Sequence, residues 1–226
     1  MPQTILRLYR CCTKRDYENG YVLTSNELNR LDVNDTLQEL VSHILHASQR
    51  NIYYSFTPSL SLAKEYKKHN PQNVDICYVD LDLKNLPDTV IGIFPVFSRR
   101  FWLNLIASSD DALANNYIEN PENSTKHSLL GIVNCSQRTV SSWAFSMREF
   151  ALQVNNLKLK VLKDEDDVVS VTDETLERIV NDLFIEQIDK DNVSTLRALF
   201  HKEFEACKLK RKYVIDLVDS EKWFAA

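Results

Sequence analysis

Glycine occurs three times in this 226-residue chain, as Gly20, Gly92 and Gly131. Backbone that closes around a phosphate needs glycine, because a Cβ holds the peptide away from the oxygens. Neither the GxxxxGK[ST] loop nor the GxGxxG dinucleotide turn can be written with three glycines this far apart. If such a chain binds a nucleotide, side chains must hold the phosphates.

The rest of the composition is that of a folded protein. Hydrophobic residues make up 44% and charged residues 26%, enough apolar side chain to bury a core. The length suits one large domain, or one of about 150 residues with an appendage. A net charge of −5 rules out a uniformly basic surface, so a nucleic-acid partner would need a local patch. The five cysteines (Cys11, Cys12, Cys77, Cys135 and Cys207) are odd in number and contain no CxxC pair, which fits neither a disulfide framework nor a zinc site. Reduced thiols in a cytosol-like compartment are expected. The first 15 residues lack the pattern of a secretory signal, and no stretch approaches the ~20 apolar residues of a membrane helix. Delivery into a host cell by a signal-less route is equally compatible with these features.

Local patterns predict strands and helices in alternation. Ile5 to Cys12 reads as a strand, and Asn19-Gly20 as a turn. Thr36 to Ser48 has Leu37, Leu40, Val41, Ile44 and Leu45 at helical spacing, with Asp35 as its cap. Ile52 to Phe56 is a strand, and Thr57-Pro58 supplies a cap and a first-turn proline for the helix beyond. Strands are expected over Val74 to Leu83, Thr89 to Phe97, Leu129 to Asn134, Ala144 to Val154 and Leu157 to Leu162, with a short helix over Arg100 to Ala107. A polar excursion covers Ser108 to His127. At Lys163 to Asp167 the composition changes, and helical spacing follows. The expected organisation is a strand-rich α+β domain over 1–162 and a helical extension over 163–226.

Three fragments, in order, carry a resemblance: LYR at Leu8 to Arg10, IYYSFTPSLSLA at Ile52 to Ala63, and FSMREF at Phe145 to Phe150. Together they resemble the cholera-toxin-like mono-ADP-ribosyltransferases, over roughly residues 5–155. That family has an arginine on the first strand, a Ser-Thr-Ser strand running into a helix, and a glutamate on a late strand. The resemblance implies a split β-sandwich with NAD in its cleft. Arg10 would hold NAD phosphate, Ser55 and Thr57 would shape the cleft, and Glu149 would be the catalytic carboxylate. Trp143 is the candidate for contact with a macromolecular acceptor, most simply a protein, with nucleic acid left open. Two positions depart from the family pattern. Phe56 replaces the central residue of Ser-Thr-Ser, and Met147 stands two before Glu149, where arginine-modifying members have Glu. Met147 cannot hydrogen-bond an acceptor strongly. Signal-less members of this kind are bacterial effectors, or toxins of toxin–antitoxin and phage-related systems.

The chemistry of the trio is coherent. A guanidinium binds phosphate oxygens through paired donors. A carboxylate beside the nicotinamide ribose binds its 2′-OH and stabilises the oxocarbenium-like charge that develops as nicotinamide leaves. Taken singly, the same residues have plainer readings: a strand-edge arginine, a strand serine, a helix cap and a polar-face glutamate. His43 and His46 share a helix face without further metal ligands. Asp75, Asp80 and Asp82 read as one solvated strand face. Cys11 and Cys12 read as buried structural thiols, and Phe94, Phe97, Phe101 and Trp102 as core. Three functions remain: ADP-ribosyl transfer, NAD hydrolysis, or a catalytically silent module of the same fold whose C-terminal helices bind a partner.

Overall fold

The computed structural model describes residues 5–46, 52–83, 85–98, 101–102, 105, 109, 147–163 and 175–176. The expected strand over Leu129 to Asn134, the polar excursion, Trp143 and nearly all of the helical extension lie outside these residues. The chain divides into two compact units. One comprises residues 1–30, 48–97 and 146–178, and the other residues 31–47, 98–145 and 179–226.

The first unit is built on β1 (Ile5–Thr13), which pairs antiparallel along its length with β4 (Asn73–Asp82). Apolar residues at both parities let β1 bury side chains on both faces. Leu6 and Leu8 lie on one face and Tyr9 and Cys11 on the other. The second face packs on α3 (Leu60–His69), where Tyr9, Cys11, Leu60 and Ala63 form a cluster bordered by Ile76, Tyr78 and Leu162. β8 (Lys160–Val161) joins the far edge of β4. A second antiparallel sheet runs β3 (Tyr54–Phe56), β6 (Phe150–Val154), β5 (Val90–Phe94). A two-stranded sheet pairs β2 (Val22–Leu23) with β7 (Leu157–Lys158). Among the described residues the architecture is therefore mixed α+β, with antiparallel sheets and no closed barrel. Among them, too, no helix is long and apolar enough to cross a membrane.

Several sequence expectations shift by a few residues, each for a local reason. The helix after β3 starts at Leu60, capped by Ser59, whose Oγ accepts from Leu62 N at 3.4 Å. Thr57 is not its cap. Its backbone is committed to Tyr9, with N–O distances of 2.7 and 2.8 Å. Pro95 ends β5 at Phe94. The segment expected as one strand over Leu157 to Leu162 splits, because Leu159 N turns to Tyr21 O at 2.9 Å and the residues on either side join different sheets. The three aspartates of β4 do not share a face, since Asp75 differs in parity from Asp80 and Asp82. Asp75 accepts from the Tyr21 hydroxyl. Asp80 instead sits opposite Arg7 and takes its guanidinium at 2.6 and 3.0 Å.

In the second unit, α2 (Val33–His46) begins three residues earlier than the hydrophobic spacing alone indicates. Asp32, not Asp35, provides the capping oxygen, accepting from Asp35 N at 2.8 Å. Leu37, Leu40, Val41 and Ile44 are all buried, as their spacing requires. Phe101, Trp102 and Leu105 are helical, with Ser98 Oγ accepting from Phe101 N at 3.3 Å.

β6 is the centre of its sheet and is buried from end to end. Gln153 is the polar exception. It is 1% exposed, and its Nε2 donates to Glu27 O at 3.0 Å and Asn29 O at 2.8 Å, tying the loop after β2 to the strand. Replacing Gln153 with Ala removes both bonds and leaves a void, at a cost of about 2 kcal/mol. Thermal unfolding should show it as a fall in Tm of roughly 4–8 °C, with faster protease cleavage between residues 24 and 30.

Candidate functional site

The site grows from the end of β1. Thr13 stops the strand and caps α1 (Lys14–Glu18), in a reciprocal box. Asp16 N donates to Thr13 Oγ1 at 3.4 Å, and Asp16 Oδ2 accepts from Thr13 N at 2.8 Å and Thr13 Oγ1 at 3.0 Å. The chain then reverses through Gly20, at φ +65°, and Tyr21, at φ +60°. Glycine enters that left-handed region without penalty, and the asparagine before it suits the turn. The reversal carries the chain into β2. Between β1, α1, β2 and β3 lies a half-open cavity of about 570 Å³. Its lining includes Arg10, Thr13, Arg15, Asp16, Thr24 and Tyr54.

Arg10 is the one residue of the expected trio that lines this cavity. Its Nη1 donates to Ser55 O at 3.2 Å, and its Nη2 lies 3.6 Å from Asp16 Oδ2. The guanidinium sits over the Tyr54 ring at 5.1 Å and the Phe56 ring at 6.0 Å. Its Nε is buried and has no hydrogen-bond partner among the described residues. The arginine side chain is 17% exposed, so part of its donor fork still reaches solvent. Tyr54 also lines the cavity. Its hydroxyl donates to Thr24 O at 2.9 Å, and burial raises its pKa above the usual phenol value.

The other expected residues fall on neighbouring backbone. Thr57 bonds Tyr9, next to Arg10, and its Oγ1 accepts from Ser59 N at 3.2 Å. Ser55 is half-buried in β3, opposite Ala151 of β6. Phe56 pairs with Phe150, the residue after Glu149. Glu149 itself lies one residue before β6 rather than within it. Its carbonyl accepts from Phe97 N at 3.3 Å, and Arg148 before it has φ +50°. The LYR, YSFT and REF fragments thus lie on three successive neighbouring segments, although Ser55, Thr57 and Glu149 do not line the cavity. Trp143 lies outside the described residues.

Asp16, Tyr54 and Thr24 also line the site. Tyr54 falls within the IYYSFTPSLSLA fragment but has no role assigned there, and Asp16 is the fourth residue of the Thr13-Lys14-Arg15-Asp16 capping pattern. Thr24 comes in through tertiary contact.

The thiols beside Arg10 are built for packing. Cys12 and Cys77 are fully buried on one face of the β1–β4 ladder, and a thiol–thiol hydrogen bond, followed by burial, raises the Cys12 pKa. Burial, then the neighbouring Cys12, pushes Cys11 up to about 11 from 9.0. Its thiol meets Ala63 O at 3.0 Å. A neutral buried thiol is a poor nucleophile. The sign of the linkage follows directly. Cys11's contribution to stability is complete below pH 9, where the unfolded thiol ionises, and is lost as pH rises through about 11. Iodoacetamide at pH 8 should therefore leave Cys11 and Cys12 unmodified in the native chain and label both once it is unfolded, as read by peptide mass spectrometry.

No protein-family model matches the chain, and no curated protein or solved structure does either.

Proposed function

We propose that the chain transfers ADP-ribose from NAD to a macromolecular acceptor, with the β1–β4 and β3–β6–β5 sheets acting as the halves of a split β-sandwich. The observation that carries this reading is the meeting of three fragments far apart in sequence. Arg10 bonds Ser55 O, Thr57 bonds Tyr9, and the β3–β6 register runs on towards Glu149. A glycine-poor chain has to bind a diphosphate with side chains, and Arg10, which lines a cavity with a side chain 17% exposed, suits that task.

In this reading Arg10 holds NAD phosphate. Ser55 and Thr57 stiffen the strand edge against the nicotinamide ribose. The carboxylate of Glu149 binds the ribose 2′-OH and stabilises the positive charge that grows on the sugar as nicotinamide departs. Trp143 would meet the acceptor. Met147 leaves no second carboxylate for drawing a proton from an arginine acceptor, so the acceptor is expected to be another nucleophile, or water.

A silent module of the same fold is the second reading. It is favoured by Met147, and by a cavity lined by Arg10 but not by Glu149. Thermal stability in NAD separates the two, because NAD at a hundred times its Kd adds roughly 2.7 kcal/mol.

Nicotinamide release from NAD tests the chemistry. The wild-type chain should release it, and Glu149→Gln should lose at least ~100-fold in rate with the fold retained. Release that depends on added lysate points to transfer, and release in buffer alone to hydrolysis. A fully active Glu149→Gln would remove Glu149 from the mechanism.

A further inference from the structure

The carboxylate of Asp16 does two things at once. It is 7% exposed and completes the α1 capping box through Thr13 N and Thr13 Oγ1, both on Oδ2. The same oxygen lies 3.6 Å from Arg10 Nη2. A capping box needs a short acceptor at this position but no cation beside it. A largely buried guanidinium does need a counter-charge, and it needs one that does not consume the donors meant for a ligand. The 3.6 Å separation meets that requirement, being close enough for strong attraction at a partly buried site but longer than a good hydrogen bond.

We infer that Asp16 is a positioning residue for Arg10. The guanidinium has three kinds of neighbour: Ser55 O accepts from Nη1, the Tyr54 and Phe56 rings lie 5.1 and 6.0 Å from its carbon, and Asp16 faces the Nη2 end. Together they set which edge of the fork faces the cavity. Ser55 O and the rings hold one end and one face of the rigid fork, and Asp16 adds a negative charge at its Nη2 end. α1 carries this carboxylate and also forms the cavity wall with β2, so the wall and the orientation of Arg10 are set by one residue. The inference deepens the NAD reading and borrows from it only the identity of the ligand.

The test compares wild type with Asp16→Asn, which can still accept from Thr13 N and so keeps the cap while losing the charge. The first measurement is the modification of Arg10 by phenylglyoxal, followed by peptide mass spectrometry, with no nucleotide present. Asp16→Asn should raise the rate about threefold or more, as a released guanidinium becomes accessible. Asp16→Glu, which retains both charge and cap, should stay close to wild type. Equal rates in wild type and Asp16→Asn would reduce Asp16 to a cap and overturn the inference. The second measurement is ADP and NAD binding by calorimetry, where folded Asp16→Asn should bind about tenfold more weakly. Tighter binding by the variant would show Asp16 to be a competing anion, and would also overturn the inference. If wild type binds neither nucleotide while the Arg10 rate still rises in the variant, the NAD reading fails and the positioning role stands. If Asp16→Asn does not fold, wild type carries the test by NMR. The Arg10 Nη2 protons should rotate slowly on the chemical-shift scale, and fully averaged Nη2 protons would refute the pairing.

Discussion

The pair of backbone hydrogen bonds between Tyr9 and Thr57 decides most of what is distinctive here. Among the described residues it is the one backbone bridge between the β1–β4–β8 sheet and the β3–β6–β5 sheet, with N–O distances of 2.7 and 2.8 Å. Because it falls one residue before the last arginine of β1, Arg10 emerges where its guanidinium can reach Ser55 O. Because it uses the backbone of Thr57, the chain cannot begin a helix there, and the cap passes to Ser59. Beside that bridge the end of β1, α1, β2 and Tyr54 of β3 line the cavity.

Electrostatics and packing divide the two faces of β1 between them. On the α3 face Cys11 is neutral and buried, and Arg7 is locked to Asp80 over the Tyr78 ring at 4.3 Å, with Lys160 Nζ a further 3.8 Å from Asp80. Those charges are satisfied by one another and serve to hold the β1–β4–β8 ladder in register. On the other face Arg10 is less fully satisfied. It has one good hydrogen bond, one loose ion pair, two aromatic rings and an orphaned Nε. Two arginines three residues apart on one strand therefore differ in kind. One is paired with a carboxylate across the ladder, and the other lines the cavity with looser partners.

Much of the local structure is legible in the order of the residues. β1, α2, α3, β4 and β5 sit within a few residues of where periodicity and turn chemistry put them. The errors have specific causes. Thr57 and Asp35 look like caps because Thr-Pro and an aspartate before an apolar repeat satisfy the local rule. In each case a nearby oxygen, Ser59 Oγ or Asp32 Oδ1, does the capping instead. β7 and β8 look like one strand because nothing local says that Lys158 and Lys160 will be claimed by different sheets. Asp75 differs in strand parity from Asp80 and Asp82, so the aspartates do not make one solvated face.

What the sequence determined by itself was set by interactions among near neighbours. These are the alternation that makes β1 a strand, the spacing that buries one side of α2, the Thr13–Asp16 capping box, and the lack of glycine that leaves phosphate binding to side chains. Tertiary structure decided what depends on segments far apart in the chain. Tyr54 becomes a cavity wall through its bond to Thr24 O, Gln153 becomes a buried tie to residues 27 and 29, and Arg10 gains Ser55 O as a partner. The physical reason is that a hydrogen bond or ion pair of this kind needs two groups within a few ångströms of each other. For residues separated by tens or more than a hundred positions, only the pairing of the strands brings that about.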